Sequence, residues 1–405
     1  MLLVSKIVKQ ILYFCSYFFL FFLKFISWIF PFKFYLLPTE RLGHLSQEPE
    51  LLLRKKARLS KKITYILIVN PLNQIANEYF FQLIQSHFII VKNYFFHYLV
   101  LVFKSKLISL NLYEDLNITR GFGVCYSDYK NVPRQISISE TDLEKGKNLL
   151  HSLYGVDINH DRIICIFARD QGYLNKVLPE NDWSYHNDRD IDVNVFIKSI
   201  EHLVNSGFKV FRIGKFALEK VQYEHPNFID YPFSKGHSDF LDVFLIYISY
   251  LVIGTSAGIT DLANVFERPY LCIGQIEPIV RCTLFIPKKI RKRITDVAKS
   301  DDYLHSNESK KYFYFPIEIK KLGLQYFNIS KLGLEYLDNT PEEIYLAVNE
   351  TLAAIENRAH FSENELNLIR RYNEEYWKDF VNSDKLNSPI AVSWLNKYKD
   401  LYFSN

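Results

Sequence analysis

Short apolar runs alternate with amphipathic segments through the second half of the chain. The runs are rich in β-branched residues, which is typical of strands buried on both faces of a sheet. They lie at Arg162–Ala168, Phe208–Ile213, Tyr250–Ile253 and Leu271–Ile273, with a further short candidate at Asn227–Tyr231. Helices are predicted between them, at Val193–Val204, Asp239–Ile248 and Ile259–Phe266. This order predicts a mostly parallel sheet with helices on both of its faces.

The first half of the chain follows the same α/β pattern less regularly. The predicted elements are a strand at Ile63–Val69, a helix from Asn73 to Ser86 and a helix from Thr141 to Tyr154. Thr141 and Glu144 have capping-box spacing, and Gly155 is a typical helix stop. Two further apolar runs, Phe88–Val91 and Tyr98–Phe103, fit either a helix or a strand.

Past the last predicted core strand the pattern changes. The basic run Lys288–Arg293 predicts a solvated helix, with a membrane or phosphate patch as the alternative. A strand at Leu332–Leu337 precedes a helix with Thr340 as its N-cap and Pro341 in its first turn. Amphipathic helices are predicted in the tail from Ser362 to Lys399.

The N-terminus is the most apolar part of the sequence. Ile11–Leu23 is an uncharged run of 13 residues, and Phe25–Phe30 continues it after Lys24. Thirteen residues are too few to span a bilayer, and a longer span would bury the charge of Lys24. Six basic residues follow within the nine positions Arg54–Lys62. The pattern predicts a retained membrane-associated segment and a body at the cytoplasmic face of the inner membrane, with a buried core helix as the alternative.

Composition narrows the classes of function. The formal net charge is +4, which gives no reason to expect nucleic acid as a partner. The five cysteines are scattered without a Cys-x-x-Cys pair, which favours a reducing compartment and gives no zinc pattern. The acidic loop Asp182–Asp190 has no calcium-loop spacing and is predicted to be a solvated loop.

Cations and a glycine-rich turn follow the predicted strands at their carboxyl ends. Arg169, Arg212 and Lys215 come at the ends of two strands, and Gly254-Thr255-Ser256-Ala257-Gly258 turns from a strand into a helix. Backbone N–H groups and hydroxyls in such a turn bind anions. The spacing is not that of a dinucleotide fingerprint or a P-loop. Because carboxyl ends of parallel strands share one edge, these residues predict a diphosphate site, with a plain βα connection as the alternative.

Three other positions are candidates for chemistry. Gly43 and His44 lie in a polar island, where a backbone can approach a ligand beside an imidazole, although a simple loop is the alternative. Asp170 is placed to hold Arg169 or to act as a base, and Glu277 to hold ribose hydroxyls.

Several of these stretches together resemble a family of bacterial glycosyltransferases found with surface-polysaccharide genes. The resemblance rests on ARDQGYLN, FIKSIEHLVNSGFKVFRIGK, SDFLDVFL and GTSAG, with ERLGHLS upstream and LEYLDNTPEEI downstream. It spans roughly Glu40 to Glu350.

The resemblance implies a GT-B enzyme, with two Rossmann-like domains facing across a cleft and a nucleotide-sugar donor held by the C-terminal domain without a metal or other cofactor. It implies that Gly254, Thr255, Ser256 and Gly258 form the diphosphate turn and that Arg169 and Arg212 balance the leaving group's charge. His44 and Asp170 are the candidate catalytic bases, and Lys215 and Glu277 are further donor-site candidates. A glycan or lipid-linked acceptor is the expected partner.

The predicted domains are a hydrophobic segment (residues 1–38), an acceptor-side domain (39–155), a donor-binding domain (156–355) and C-terminal helices (356–405). Two alternatives remain open. One is a nucleotide-sugar epimerase on the same fold, which needs neither an acceptor nor a membrane. The other is a non-catalytic membrane scaffold of a polysaccharide assembly complex, which need not bind a nucleotide.

Overall fold

The computed structural model describes residues 18–59, 62–116, 132–170, 172, 188–276, 282–292, 313–314, 329, 333–377 and 389–403. The chain forms two compact units, Met1–Ile136 and Ser137–Asn405. Both are of the mixed α/β type with a parallel sheet, as the sequence pattern predicts. The predicted cleft between two domains stays a prediction.

The first unit is built on three parallel strands. In chain order its elements are α1 (18–29), β1 (Phe32–Leu36), α2 (Leu42–Arg58), β2 (Thr64–Val69), α3 (Glu78–Gln85), β3 (Ile89–Lys92) and α4 (Tyr94–Ser109). The sheet order is β1-β2-β3, with Leu67 paired to Ile90. Leu67 and Ile68 are fully buried, which explains why this strand is apolar throughout.

Three details of this unit differ from the sequence predictions. Gly43 and His44 lie in the first turn of α2 and not in a loop. Helix α3 begins later than predicted, because the Asn77 side chain caps it by accepting from the backbone N–H of Phe80. The two undecided apolar runs prove to be of different types, one becoming β3 and the other the middle of α4.

The predicted basic run Arg54–Lys62 is not a continuous charged surface. Arg54 is fully buried in α2, where its Nε donates to Glu50 at 2.5 Å and its Nη1 donates to the carbonyl of Val132. The Glu50 carboxylate also accepts from the backbone N–H groups of Gln135 and Ile136. This pair therefore holds the end of the first unit against α2, since a buried charge needs such partners.

The second unit is built on a six-stranded parallel sheet. Its strands are β4 (Ile163–Phe167), β5 (Lys209–Arg212), β6 (Phe228–Asp230), β7 (Leu251–Gly254), β8 (Tyr270–Gln275) and β9 (Leu284–Pro287). The order is β6-β5-β4-β7-β8-β9, and Ile166 of β4 pairs with Arg212 on one side and Ile253 on the other. The predicted strand order along the chain is confirmed. The chain leaves β4 in one direction and β7 in the other, so the switch point of the sheet lies between these two strands.

Helices follow the strands as predicted. They are α5 (Glu140–Tyr154), α6 (Ile197–Asn205, after a 3₁₀ turn at Val193–Phe196), α7 (Asp239–Ile248) and α8 (Gly258–Val265). The predicted cap of α5 is wrong, because Ser139 and not Thr141 accepts from the first turn, at Asp142 N. The predicted stop is confirmed: Gly155 is left-handed, with a φ of 63°.

Helix α5 belongs to the second unit, whereas the sequence prediction placed it in the first domain. Gly146 lets it approach α7, since a Cβ there would come within 2.2 Å of the Phe244 ring. The Tyr154 hydroxyl bonds Ser234 at 2.7 Å, and its ring packs edge-on against Phe211 of β5. These contacts fix the helix to the large sheet.

Within the basic run, Lys289–Lys292 form a strand and not the predicted solvated helix, and Arg293 lies outside the described residues. β10 (Lys289–Lys292) lies between β11 (Phe313–Tyr314) and β12 (Leu334–Leu337) in a small antiparallel sheet. Lys289 is buried and pairs with Glu343 at 3.2 Å. The pKa of Glu343 is lowered by Lys289, Lys397 and the Tyr398 hydroxyl, which outweigh its burial.

The C-terminal helices are α9 (Pro341–Ile355), α10 (Glu363–Tyr372) and α11 (Val392–Phe403), and a short π-helix follows α10 at Asn373–Trp377. The predicted Thr340 N-cap of α9 is confirmed, and Glu343 completes a capping box with it.

Among the residues that the structure describes, no helix has both the length and the apolar character needed to cross a membrane. Residues 1–17, which contain part of the predicted membrane segment, lie outside the described ranges.

Candidate functional site

Two loops flank the switch point of the large sheet, and a hydrogen bond joins them. Arg169 follows β4 and Thr255 follows β7. The backbone N–H of Arg169 donates to the Thr255 hydroxyl at 3.1 Å, and the Thr255 N–H donates to the carbonyl of Phe167 at 3.2 Å. The sequence prediction that these residues share one sheet edge is confirmed. Thr255 is 1% exposed, so its hydroxyl orders the loop and does not face solvent.

Arg169 lies in a buried network of charges. Its guanidinium pairs with Asp190, whose backbone carbonyl accepts from Lys288 Nζ at 2.7 Å. Lys288 also pairs with Asp338 at 2.6 Å. Burial lowers the pKa of Arg169, against the opposing charge of Asp190. The edge therefore holds two buried cations, each paired with a carboxylate.

The sequence analysis did not place Asp190 or Lys288 at this carboxyl edge of the large sheet. Asp190 was part of an acidic loop predicted to be solvated, and Lys288 part of a predicted helix. The signal for Lys288 was its position after the apolar run Leu284–Pro287, which places it at a strand's carboxyl end.

The glycine-rich turn has a packing role at its first residue. A Cβ on Gly254 would lie 2.3 Å from the Phe167 carbonyl oxygen, so a larger residue does not fit between β4 and β7. Helix α8 begins at Gly258, and its N-cap is Ala257, which has no side-chain oxygen for the first-turn N–H groups. Ser256 is partly exposed beside them. The ligand roles of Gly254, Ser256 and Gly258 stay predictions.

Two of the predicted site residues hold loops at this edge. Asp170 accepts from the N–H groups of Gly172 and Leu218, at 2.8 and 3.0 Å. Arg212 is 2% exposed and donates to the Glu219 carbonyl and to Asp230. Both side chains thus fix the segment after β5. Their predicted roles as base and as phosphate partner stay predictions.

Lys215 is more accessible than Arg212. It pairs with Asp239, the first residue of α7, at 2.8 Å, and its side chain is 29% exposed. Glu277, the predicted ribose ligand, lies outside the described residues.

A buried Asp–His pair stands beside Lys215 and was not found from the sequence. Asp242, on the first turn of α7, is 2% exposed and lies 3.5 Å from Nε2 of His237. Desolvation, with a smaller contribution from Asp239, raises the pKa of Asp242 to about 7. Burial likewise lowers the pKa of His237. The pair therefore favours uncharged forms near neutral pH.

The first unit has its own polar edge. His44, in the first turn of α2, directs Nδ1 to Oε1 of Glu48 at 2.6 Å. Glu48 is buried, and His44 is 30% exposed. Beside an ionised carboxylate, which only accepts hydrogen bonds, a neutral His44 ring would carry its proton on Nδ1 and present Nε2 as an acceptor, the form that a general base needs. Glu48 was missed by the sequence analysis, although its i, i+4 spacing from His44 on a helix was a readable signal.

A cavity of about 380 Å³ lies at the carboxyl ends of β2 and β3. Its lining includes Asn70, Asn73, Gln74, Glu78 and Lys92. The loop before α2 borders the same segment, since Thr39 Oγ1 donates to the carbonyl of Gln74 and Asn73 donates to Glu40 at 2.9 Å. Side-chain amides at the carboxyl end of β2 thus line a space large enough for a small polar ligand.

No protein-family model and no curated protein matches the sequence. Among solved structures, the chain is similar to a glycosyl transferase family 9 protein from Veillonella parvula, with a TM-score of 0.37, 12% identity and coverage of 60% of this chain and 79% of that one. The E. coli ADP-heptose LPS heptosyltransferase II gives a TM-score of 0.33 and 13% identity over 59% and 84% of the two chains.

A Listeria monocytogenes protein described as a UDP-N-acetylglucosamine 2-epimerase gives a TM-score of 0.31 and 9% identity over 86% and 97%. The structural neighbours thus include glycosyltransferases, the class that the sequence resembles. All three TM-scores are low, so none of these similarities decides the fold family or the activity of this chain.

Proposed function

We propose that the protein is a glycosyltransferase that moves a sugar from a nucleotide-diphosphate sugar to a glycan or lipid-linked acceptor. The observation that carries the proposal is the contact between His44 and the buried carboxylate of Glu48. A carboxylate that fixes the imidazole tautomer makes the other ring nitrogen a proton acceptor, which an acceptor hydroxyl requires.

The donor is assigned to the second unit. Its diphosphate would be held at the N-terminus of α8, where the backbone N–H groups and the Ser256 hydroxyl are donors. The guanidinium of Arg169 would exchange Asp190 for phosphate oxygens and stabilise the leaving group in bidentate fashion. Metal independence and the absence of a further cofactor are part of the proposal.

The reaction is one displacement. His44 Nε2 takes the proton of the acceptor hydroxyl, and the acceptor oxygen forms a bond to the anomeric carbon. The bond from that carbon to the diphosphate oxygen breaks, and the nucleoside diphosphate leaves with the electron pair. We prefer His44 over Asp170 as the base because both Asp170 oxygens already accept backbone N–H groups.

Donor binding is tested on the full chain by thermal shift with UDP, GDP, CMP, ADP and dTDP, with and without Mg²⁺. Specific binding at a hundredfold excess over Kd stabilises the fold by about 2.7 kcal/mol. We expect a shift with one nucleoside diphosphate that Ser256→Ala reduces. The matched control is Ser206→Ala, at the opposite end of the strands after α6, where the shift should be unchanged.

The role of His44 as a base is tested with a sugar donor that carries the nucleotide identified by thermal shift. His44→Ala should lower turnover by about 10²- to 10⁴-fold, as expected for loss of a general base, with unchanged donor affinity. Glu48→Gln should lower turnover less. The control is His87→Ala, at an exposed position between α3 and β3.

Absence of any thermal shift with a nucleotide in a folded sample would favour the scaffold alternative. Donor turnover that needs no acceptor and survives His44→Ala would favour the epimerase.

A further inference from the structure

Helix α4 exposes an apolar stripe along its whole length. Its exposed positions recur with the period of a helix and carry large apolar or aromatic side chains. They are Tyr94, Phe95, Tyr98, Leu101, Val102 and Ile108, between 37% and 68% exposed. Largely apolar helices are normally buried, and a contiguous apolar surface exposed to water marks an interaction site. We therefore expect a partner to cover the outer face of α4.

Helix α1 extends this apolar surface. Lys24 in α1 donates to the carbonyl of Leu110, at the C-terminal end of α4, over 2.8 Å. Among the described residues of α1, only Leu20 is buried, and the exposed side chains are again mostly aromatic. They are Phe18, Phe19, Phe21, Phe22, Phe25, Trp28 and Ile29. We call the exposed residues of α1 and α4 the apolar face of the first unit.

The charges at this face have one sign. Neither helix contains an aspartate or a glutamate, whereas Lys24, Lys104 and Lys106 are basic. Aromatic side chains flanked by cations are the composition that binds the interface of an anionic bilayer.

The ends of α4 show how it would meet such a surface. Asn93 caps its first turn, and Leu112 after its last turn accepts from the backbone N–H of Phe34 in β1. Its 16 residues give a length of about 24 Å. Because β3 directly precedes α4 and the segment after α4 is bonded to β1, α4 can lie along a membrane surface without entering it end-on.

The beginning of α4 is near the polar edge that carries His44. His97, in this first turn, has its pKa lowered by burial, and the nearby carboxylate of Glu40 opposes that shift. Glu40 itself bonds Asn73 of the cavity wall. Because Lys92 of the cavity wall comes two residues before α4, a lipid surface on α4 would lie near that cavity.

We propose that the first unit docks on an anionic lipid surface through the apolar face formed by α1 and α4. The aromatic side chains enter the interfacial layer, and the lysines contact the headgroups. The attachment needs no donor and no transfer, so it is measured separately from the proposed activity.

The test is co-sedimentation of the full chain with phosphatidylcholine vesicles, with and without phosphatidylglycerol. The double variant Phe95→Glu and Leu101→Glu places two carboxylates on the α4 stripe. The matched control is Leu72→Glu, which is 76% exposed in a loop of the same unit. We expect binding to phosphatidylglycerol vesicles that the double variant weakens at least about tenfold and the control leaves unchanged.

Two results would overturn the proposal. One is vesicle binding equal for the double variant and the unchanged protein, which would assign attachment to residues outside α4. The other is absence of vesicle binding together with a dimer that the double variant makes monomeric, because a second copy would then cover the face. A circular dichroism spectrum matching that of the unchanged protein verifies that the double variant is folded.

Discussion

At the scale of single residues, burial and partners decide what a charged side chain does. Arg169 and Arg212 both follow strands of the large sheet and are both nearly inaccessible. Arg212 donates to the Glu219 carbonyl and to Asp230 and so holds the loop after β5, whereas Arg169 pairs with Asp190 at the switch point. Both arginines therefore have a carboxylate partner, and the ligand role that we propose for Arg169 depends on its position at the switch point.

Asp242 shows how burial turns a carboxyl group into a neutral one. No hydrogen-bond partner is found for its Oδ1 among the described residues, although His237 is close. Its pKa is raised from 3.8 to about 7, mainly by desolvation. The folded protein thus keeps a proton that the unfolded chain releases.

Asp242→Asn should flatten part of the dependence of stability on pH. Because the folded pKa is the higher one, the contribution of Asp242 is fully present below pH 3.8 and is lost as the pH rises through about 7. Asparagine does not titrate, so the variant should gain stability relative to the unchanged protein across this window. The measurement is the urea midpoint at a series of pH values.

Asp157→Asn is the contrasting control. Hydrogen bonds from Asn159 and His160 lower the pKa of Asp157, so its contribution is lost as the pH falls. Its variant should therefore change relative stability in the opposite direction. The same trend for both variants would contradict the role given to burial at Asp242.

At the scale of elements, the close contact between β4 and β7 of the large sheet depends on a glycine at position 254. Gly254 ends β7 beside the Phe167 carbonyl of β4, where there is no room for a Cβ. Gly155 ends α5 with a φ of 63°, and no atom of the described residues lies within 4 Å of the place that a Cβ would take there. One glycine is required by packing, and the other only by its backbone conformation.

The two glycines should respond differently to substitution by alanine. Gly254→Ala must separate β4 from β7 and should cost about 3 kcal/mol of unfolding free energy. Gly155→Ala only strains a left-handed residue and should cost about 1 kcal/mol. Urea unfolding measures both, and equal costs would show that β7 can shift without penalty. Nucleotide binding should be reduced by Gly254→Ala alone, since only that change displaces the turn to α8.

At the scale of the whole molecule, each unit has its own parallel sheet and its own polar carboxyl edge. The first unit carries His44, Glu48 and a cavity, together with the apolar face. The second carries buried cations and the start of α8, whose N-cap is an alanine. In the function and the lipid docking that we propose, the first unit would bind the acceptor and the lipid, and the second unit would bind the donor.

Docking of the protein on lipid should affect the rate of sugar transfer only when the acceptor is itself in a membrane. With one acceptor glycan offered either free or linked to lipid in vesicles, Phe95→Glu with Leu101→Glu should raise KM for the vesicle form by about tenfold or more. The kinetic constants for the free glycan should be unchanged. Steady-state transfer assays measure both, and an equal loss with the free glycan would indicate damage to the active site instead.

Much of the element order could be predicted because it depends on local pattern. The apolar runs of the large sheet, the Gly155 stop and the Thr340 cap use interactions within a few residues along the chain, and each was readable. The prediction was wrong at Arg54 and at Lys288, where a basic residue is buried by partners distant in sequence. No local pattern encodes Val132 beside Arg54, or Asp338 beside Lys288.

The sequence by itself determined the α/β class, the strand ends that carry polar residues and the apolar character of α1 and α4. It did so because periodicity and turn chemistry are properties of neighbouring residues. Only the tertiary structure decided that Glu48 bonds His44, that Asp190 and Lys288 lie beside Arg169, and that apolar side chains of α4 are exposed. These outcomes depend on which groups are brought together out of water, and the three-dimensional packing alone sets that.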